Sequence, residues 1–263
     1  LLLNAVCKEC QIKSQLIHFM RCGTTLLQHI LNAHPDLYAS EEVHAFAMVE
    51  EQIQKTQGPY PQSLANLNAD QVRHYRQIYY DIHKRQREWA EGKILVDKYP
   101  MLANMTGLVH RLFPNAKFLF ICRHPCDVVL SCYMQLFVPN PATVHCYHLE
   151  DAVKLYVEFM ELWTQYERVL DLSVHYVCYE NITENFEAEI RPVLEFIGVP
   201  WDDAVTRYNE KVLEANVISP SYEQVSETIY KRAAYRWEKY KEHLEPYMEQ
   251  LEPYIEKFGY KIT

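Results

Sequence analysis

The chain has 263 residues, enough for one large domain that buries roughly three-quarters of its unfolded surface without disulfide or metal staples. Its 49% hydrophobic and 23% charged residues describe an ordinary soluble globular protein. A net charge of -9 and a pI near 5.7 argue against a nucleic-acid binder, and no run of eighteen apolar residues exists to insert stably in a membrane.

Eight cysteines include one metal-like spacing, Cys7-x-x-Cys10, with no second Cys or His pair at zinc-site distance. No metal site and reduced thiols are therefore expected. Reduced thiols favour the cytoplasm. The chain starts Leu1-Leu2-Leu3 without Met, which predicts a missing or processed N-terminus and keeps the Golgi lumen as the alternative.

In chain order, Leu16 to Met20 reads as a strand, and Leu26, Leu27, Ile30 and Leu31 mark one face of a following helix, the unit spanning 16–36. Between them lies Arg21-Cys22-Gly23-Thr24-Thr25. A strand, a tight polar loop and a helix N-terminus make an anion site, because unpaired backbone N–H groups and the positive end of the helix dipole face the loop. The loop lacks the Gly-Lys-Ser/Thr ending of nucleoside-triphosphate binders, so an Arg and two threonines handle the phosphate without a metal-holding hydroxyl.

Residues 45–92 are polar and helix-like, with Tyr75, Ile78, Tyr79, Ile82 and Trp89 as apolar markers. Ile94-Leu95-Val96 is a second strand ending in Asp97-Lys98, and a helix runs on to about Leu112, stopped by Phe113-Pro114-Asn115. Phe118 to Cys122 is continuously apolar, as expected of a parallel strand covered on both faces, and leads through Arg123-His124-Pro125 into a helix. An amphipathic helix occupies 149–170, with Val153, Tyr156, Met160 and Trp163 on one face. Ser173 to Cys178 is a strand ending in Tyr179-Glu180; helices follow from Asn185 to Ile197 and from Trp201, and the tail from Tyr230 to Gly259 is helical.

Strands alternating with helices predict an α/β fold, a P-loop-like parallel sheet flanked by helices on both faces, with a helical C-terminal tail. One domain over 1–263 is expected, with an α/β core at 16–228 and a helical segment at 229–263. In such sheets ligands bind beyond the carboxyl ends of the strands. The polar residues there are Arg21 to Thr25, Asp97-Lys98, Arg123-His124 and Tyr179-Glu180. Arg123 and Ser131, two helical turns apart, can converge on a second phosphate; equally, Arg123 can pair with Asp127 and leave Ser131 a surface hydroxyl.

Taken together, Arg21-Cys-Gly-Thr-Thr25, Asn32-Ala-His-Pro35, Glu42-Val-His44, Asp97-Lys-Tyr-Pro100, Phe113-Pro-Asn-Ala116, Arg123-His-Pro125 with Ser131, Tyr179-Glu180 and the late segment from Ser221 to Trp237 resemble the PAPS-dependent sulfotransferases, in that family's order from about residue 16 to 245. The likeness is greatest to the tyrosylprotein sulfotransferases and to bacterial relatives joined to tetratricopeptide repeats. It implies a donor, 3′-phosphoadenosine 5′-phosphosulfate (PAPS), a product, adenosine 3′,5′-bisphosphate, and no metal. It assigns Arg21, Cys22, Gly23, Thr24 and Thr25 to the 5′-phosphosulfate loop, Arg123 and Ser131 to the 3′-phosphate clamp, and Gln224, Tyr230 and Arg236 to a late loop over the nucleotide.

The resemblance also makes Glu42 the general base for an acceptor hydroxyl, with Glu41 its rival. Lys98 and Arg21 become the cations facing the departing bridging oxygen, with Ser221 an extra donor. His44 is a second acid/base group, an acceptor contact or a buried hydrogen-bonded histidine, and Tyr179 is a nucleotide contact or packing. The implied partners are the nucleotide and a hydroxyl acceptor, whether peptide, glycan or small molecule; a homodimer stays open. A nucleotide-binding module without turnover and a phosphotransferase are the other functions left standing.

The family's loop normally reads Gly, one residue, Pro, then Arg. Here Phe19-Met20 runs straight into Arg21. The backbone must therefore turn toward the phosphate through residues poorly suited to positive φ, unless residues are missing from the sequence. Ser226 and Thr228 depart from the late-loop pattern, where relatives carry a basic residue and Pro.

Overall fold

A computed structural model describes residues 14–17, 19–85, 89, 92–98, 102–210 and 234–262. Among them, β1 (Ser14–Ile17), β2 (Leu37–Ala39), β3 (Ile94–Lys98), β4 (Lys117–Cys122) and β5 (Ser173–Cys178) form one parallel sheet in the order β2-β3-β1-β4-β5. The central strand sets the register, Leu16 lying opposite Lys98 of β3 and Leu119 of β4. Every residue of β4 from Phe118 to Cys122 is buried, so helices cover both faces of the sheet.

Local sequence explains each helix that frames the site. In α1 (Thr24–Ala33), Leu26, Leu27, Ile30 and Leu31 are buried as the spacing predicts. Its last turn is tied to β2 by Asn32, whose amide donates to the Ala39 carbonyl (2.8 Å) and whose Oδ1 accepts from Ala39 N–H (2.6 Å). In α3 (Ala69–Lys84) a reciprocal cap between Asn68 and Gln71 satisfies two backbone donors at the start. Pro125 occupies the first turn of α5 (Pro125–Tyr133), and His124 Nδ1 caps it by accepting from Cys126 N–H. In α6 (Leu149–Val169) Val153, Tyr156, Met160 and Trp163 face the core, as expected.

Several boundaries differ from the sequence reading. β1 ends at Ile17, and Phe19 and Met20 are buried in the loop rather than in the strand. Their apolarity reflects core burial, not strand periodicity. The three-residue β2 was not expected at all. The stretch 45–92 is not one helical run: α2 (Ala45–Gln57) stops where Gly58 takes φ 97°, a 3₁₀ turn covers Gln62–Asn66, and α3 restarts beyond it.

The described part of the tail ends in a helix, Met248–Lys257, which folds back on the sheet layers. Lys257 Nζ pairs with Glu167 at 2.8 Å, and the Phe258 ring stacks 5.9 Å from Phe120. The expected core boundary at 228/229 lies outside the described residues. No helix among the described residues is long and apolar enough to cross a membrane, and the six cysteines among them are free.

Candidate active site

The carboxyl ends of β3, β1 and β4 bring together three of the polar groups that the sequence singles out. After β1, Arg21 takes φ 65° and Gly23 takes φ 99° at the N-cap of α1. The left-handed turn demanded by the absent Gly thus falls on Arg21 itself, at a cost of about 1–2 kcal/mol for a residue with a Cβ. Gly23 has a second constraint. A Cβ there would sit 2.3 Å from Cδ2 of Tyr179.

The first intrahelical bond of α1 runs from Leu27 N–H to the Gly23 carbonyl, so the N–H groups of Thr24, Thr25 and Leu26 have no helical acceptor. They form an anion cradle together with the helix dipole. Cys22 contributes only its backbone: its side chain is buried, and burial pushes its thiol up to about 12.

After β4, Arg123 donates from Nη1 to the Arg21 carbonyl (3.0 Å), lies 3.8 Å from Asp127, and sits over the Tyr179 ring with its guanidinium carbon 4.9 Å from the centroid. The pairing with Asp127 is therefore present. Ser131 is not a detached surface hydroxyl, because it accepts from Arg21 Nε at 3.2 Å. The two anion regions that the resemblance separates are joined through Arg21, which touches both Arg123 and Ser131. Tyr179 is buried against Gly23 and Arg123.

After β3, Lys98 Nζ donates to Glu42 Oε1 at 2.9 Å. The lysine side chain is 5% exposed and the glutamate 57%, so the pair stands at the mouth of the site with its cation inside and its carboxylate outside. The carboxylate that Lys98 meets is that of Glu42. His44 is exposed, which removes the reading as a buried core histidine. His29, one turn beyond Thr25 on α1, has its pKa lowered to about 4 by desolvation and then by the Lys98 charge, and is a neutral ring on this side of the site.

Behind the clamp lies scaffolding that the sequence did not assign. Glu180 is buried, accepts from His124 N–H (3.0 Å) and takes the Tyr260 hydroxyl at 2.6 Å. The His124 ring stacks on Trp237 (4.8 Å, 18°), and Trp237 N–H donates to Asp127 (2.8 Å). Position after β4 and β5 was the signal for His124 and Glu180. Nothing local in the sequence marks Tyr260 or the backbone of Trp237. Arg236 lies exposed next to this cluster, whereas Ser221, Gln224 and Tyr230 lie outside the described residues.

The arrangement holds a backbone anion cradle, a buried guanidinium, and a carboxylate–ammonium pair beside them. Residues 17–203 match the model of a sulfotransferase family. The chain is 26% identical over 232 residues to an uncharacterised protein of Aquifex aeolicus, covering 85% of this chain and 30% of that one. It is 26% identical over 235 residues to the protein-tyrosine sulfotransferase of Drosophila melanogaster, covering 82% and 45%. It thus spans less than half the length of either. In fold it is similar to the sulfotransferase domain of the Synechococcus PCC 7002 olefin synthase, with a TM-score of 0.69 at 21% identity and 98% of both chains covered.

Proposed function

The chain belongs to the sulfotransferase family, and from that premise we propose that it moves a sulfuryl group from PAPS to an acceptor hydroxyl on a peptide, glycan or small molecule. The observation that carries this reading is the 2.9 Å pair between Lys98 and Glu42, one strand away from the cradle at Arg21 to Thr25. The residues fit the donor. A glycine at φ 99° opens the start of α1 to a phosphate, and Arg123 with Ser131 supplies donors for a second one.

Glu42 takes the acceptor proton as the hydroxyl oxygen attacks sulfur, a contribution of about 10²–10⁴-fold for a positioned base. The sulfur–oxygen bond to the nucleotide breaks as the new one forms. Lys98 and Arg21 stabilise the charge that builds on the bridging oxygen, an interaction stronger in the transition state than before it. For both to act the resting pair must part, with Lys98 turning to the donor and Glu42 left as a free carboxylate facing the acceptor. Metal plays no part in this scheme. The product nucleotide is adenosine 3′,5′-bisphosphate, and the compartment proposed is the cytoplasm.

The test is transfer of labelled sulfate from PAPS to a panel of 4-nitrophenol, a tyrosyl peptide and an oligosaccharide. Glu42→Gln is expected to lower kcat by about 10²–10⁴-fold while leaving adenosine 3′,5′-bisphosphate affinity within a few-fold. Normal turnover in Glu42→Gln overturns the assignment of the base. The strained turn at Arg21 supports one other reading, a nucleotide-binding module without turnover. That reading requires thermal stabilisation by adenosine 3′,5′-bisphosphate with no transfer to any acceptor.

A further inference from the structure

Asp97, the neighbour of Lys98 at the end of β3, is fully buried, and its two carboxylate oxygens serve two different elements. Oδ2 accepts from the Tyr79 hydroxyl at 2.7 Å and lies 3.5 Å from His83 Nε2, both on α3. Oδ1 accepts from the Ser40 hydroxyl at 2.8 Å. Ser40 Oγ in turn accepts from Lys98 N–H at 3.2 Å, and Ser40 N–H donates to the Val96 carbonyl at 2.9 Å. Ser40 is therefore fixed at three points to the strand end that carries Lys98. It is also only two residues from Glu42, on the irregular segment between β2 and α2.

A carboxylate in a dry interior is costly, and fold stability alone gives no reason to place one here, since a well-packed apolar residue commonly does as well. The geometry points to a positioning role. We propose that Asp97, acting through Ser40, holds the segment bearing Glu42 in register with Lys98, so that base and cation meet the reacting atoms together. The proposal rests on the reading of Glu42 as the base and Lys98 as the cation of sulfuryl transfer. Misplacing such a group by about 1 Å can cost on the order of 10²-fold in rate.

The two oxygens permit a paired test. Ser40→Ala and Tyr79→Phe each delete one hydrogen bond to Asp97 from a buried side chain, and both are expected to lower Tm. Only Ser40→Ala releases the Glu42 segment. It is expected to lower kcat about 10- to 50-fold with donor KM within about twofold, whereas Tyr79→Phe keeps kcat within about twofold. Hydrogen exchange at the amides of 41–44 and of Lys98 is expected to quicken roughly tenfold in Ser40→Ala and to stay unchanged in Tyr79→Phe. Should Ser40→Ala not accumulate as folded protein, Ser40→Cys carries the same comparison with a smaller loss.

Equal kcat losses in the two variants, or none in Ser40→Ala, overturn the proposal. If the wild type transfers sulfate to no member of the acceptor panel, the functional reading falls instead. The exchange measurement then decides the tether by itself, and unchanged exchange at 41–44 in Ser40→Ala sinks it.

Discussion

Gly23 admits the least change of any residue in the cradle, for two separable reasons. Its φ of 99° is strained for any residue with a Cβ, and the space a Cβ would need is filled by the Tyr179 ring. Gly23→Ala is expected to cost roughly 2–4 kcal/mol of stability and at least about tenfold in affinity for adenosine 3′,5′-bisphosphate, read by urea unfolding and calorimetry. Adding Tyr179→Ala removes the clash but not the backbone strain, so the double variant should recover only part of the loss. Full recovery would show that φ is not limiting. Glycine in a strand–loop–helix unit was legible from sequence, and so was the poor fit of the residues before it to a turn with positive φ. That the turn falls on Arg21, braced through its carbonyl by Arg123, involves a contact across more than a hundred residues, which no local pattern records.

At the scale of elements, α5 can carry the proposed phosphate clamp because both of its ends are anchored. His124 caps its start, Asp127 in its first turn receives Trp237 N–H, and Ser131 near its end meets Arg21. Arg123 spans from this helix start to the loop with a fork that a lysine cannot copy. Arg123→Lys is expected to raise donor KM about 10- to 100-fold with a smaller change in kcat, because one charged hydrogen bond and the stack on Tyr179 are lost while the charge stays. A kcat loss larger than the KM rise would instead place Arg123 at the reacting atoms. The long helix α6 and strand β4 were legible because their burial patterns run for many residues. The strand β2 was not, since three residues cannot display alternation, and β1 was displaced because Phe19 and Met20 are apolar for reasons of core burial.

At the scale of the whole molecule, acid should unfold this protein through histidines that burial or half-burial keeps neutral, and the sign follows from the direction of each shift. Burial lowers His124 and His29 to about 4 and moves His175 the same way, so below pH about 6.5 the unfolded chain takes up protons that the folded chain refuses. Stability from these groups is complete above their ordinary pKa and is lost as pH falls toward 4. Asp127 opposes them. Burial raises it to about 6, against the pull of Arg123 and the Trp237 N–H, so between about pH 4 and 6 the folded state holds a proton that the unfolded chain has released. Its contribution is complete at low pH and disappears as pH rises through 6. His124→Asn keeps a cap acceptor for α5 and removes one titration, so its stability should fall less steeply than the wild type's from about pH 6.5 to 4.5, by up to about 1.4 kcal/mol per pH unit. Asp127→Asn should steepen the same decline. Urea midpoints at several pH values separate the two, and parallel slopes in all three proteins would mean that this cluster does not govern acid stability. Because the Trp237 and Tyr260 rings pack on the His124 ring, and Glu180 joins the Tyr260 hydroxyl to the His124 N–H, its titration also reports whether the C-terminal segment stays seated behind Arg123. A tail variant, Tyr260→Phe, should therefore move the His124 pKa back toward its ordinary value, as read by imidazole proton resonances, before it alters any contact at Arg21.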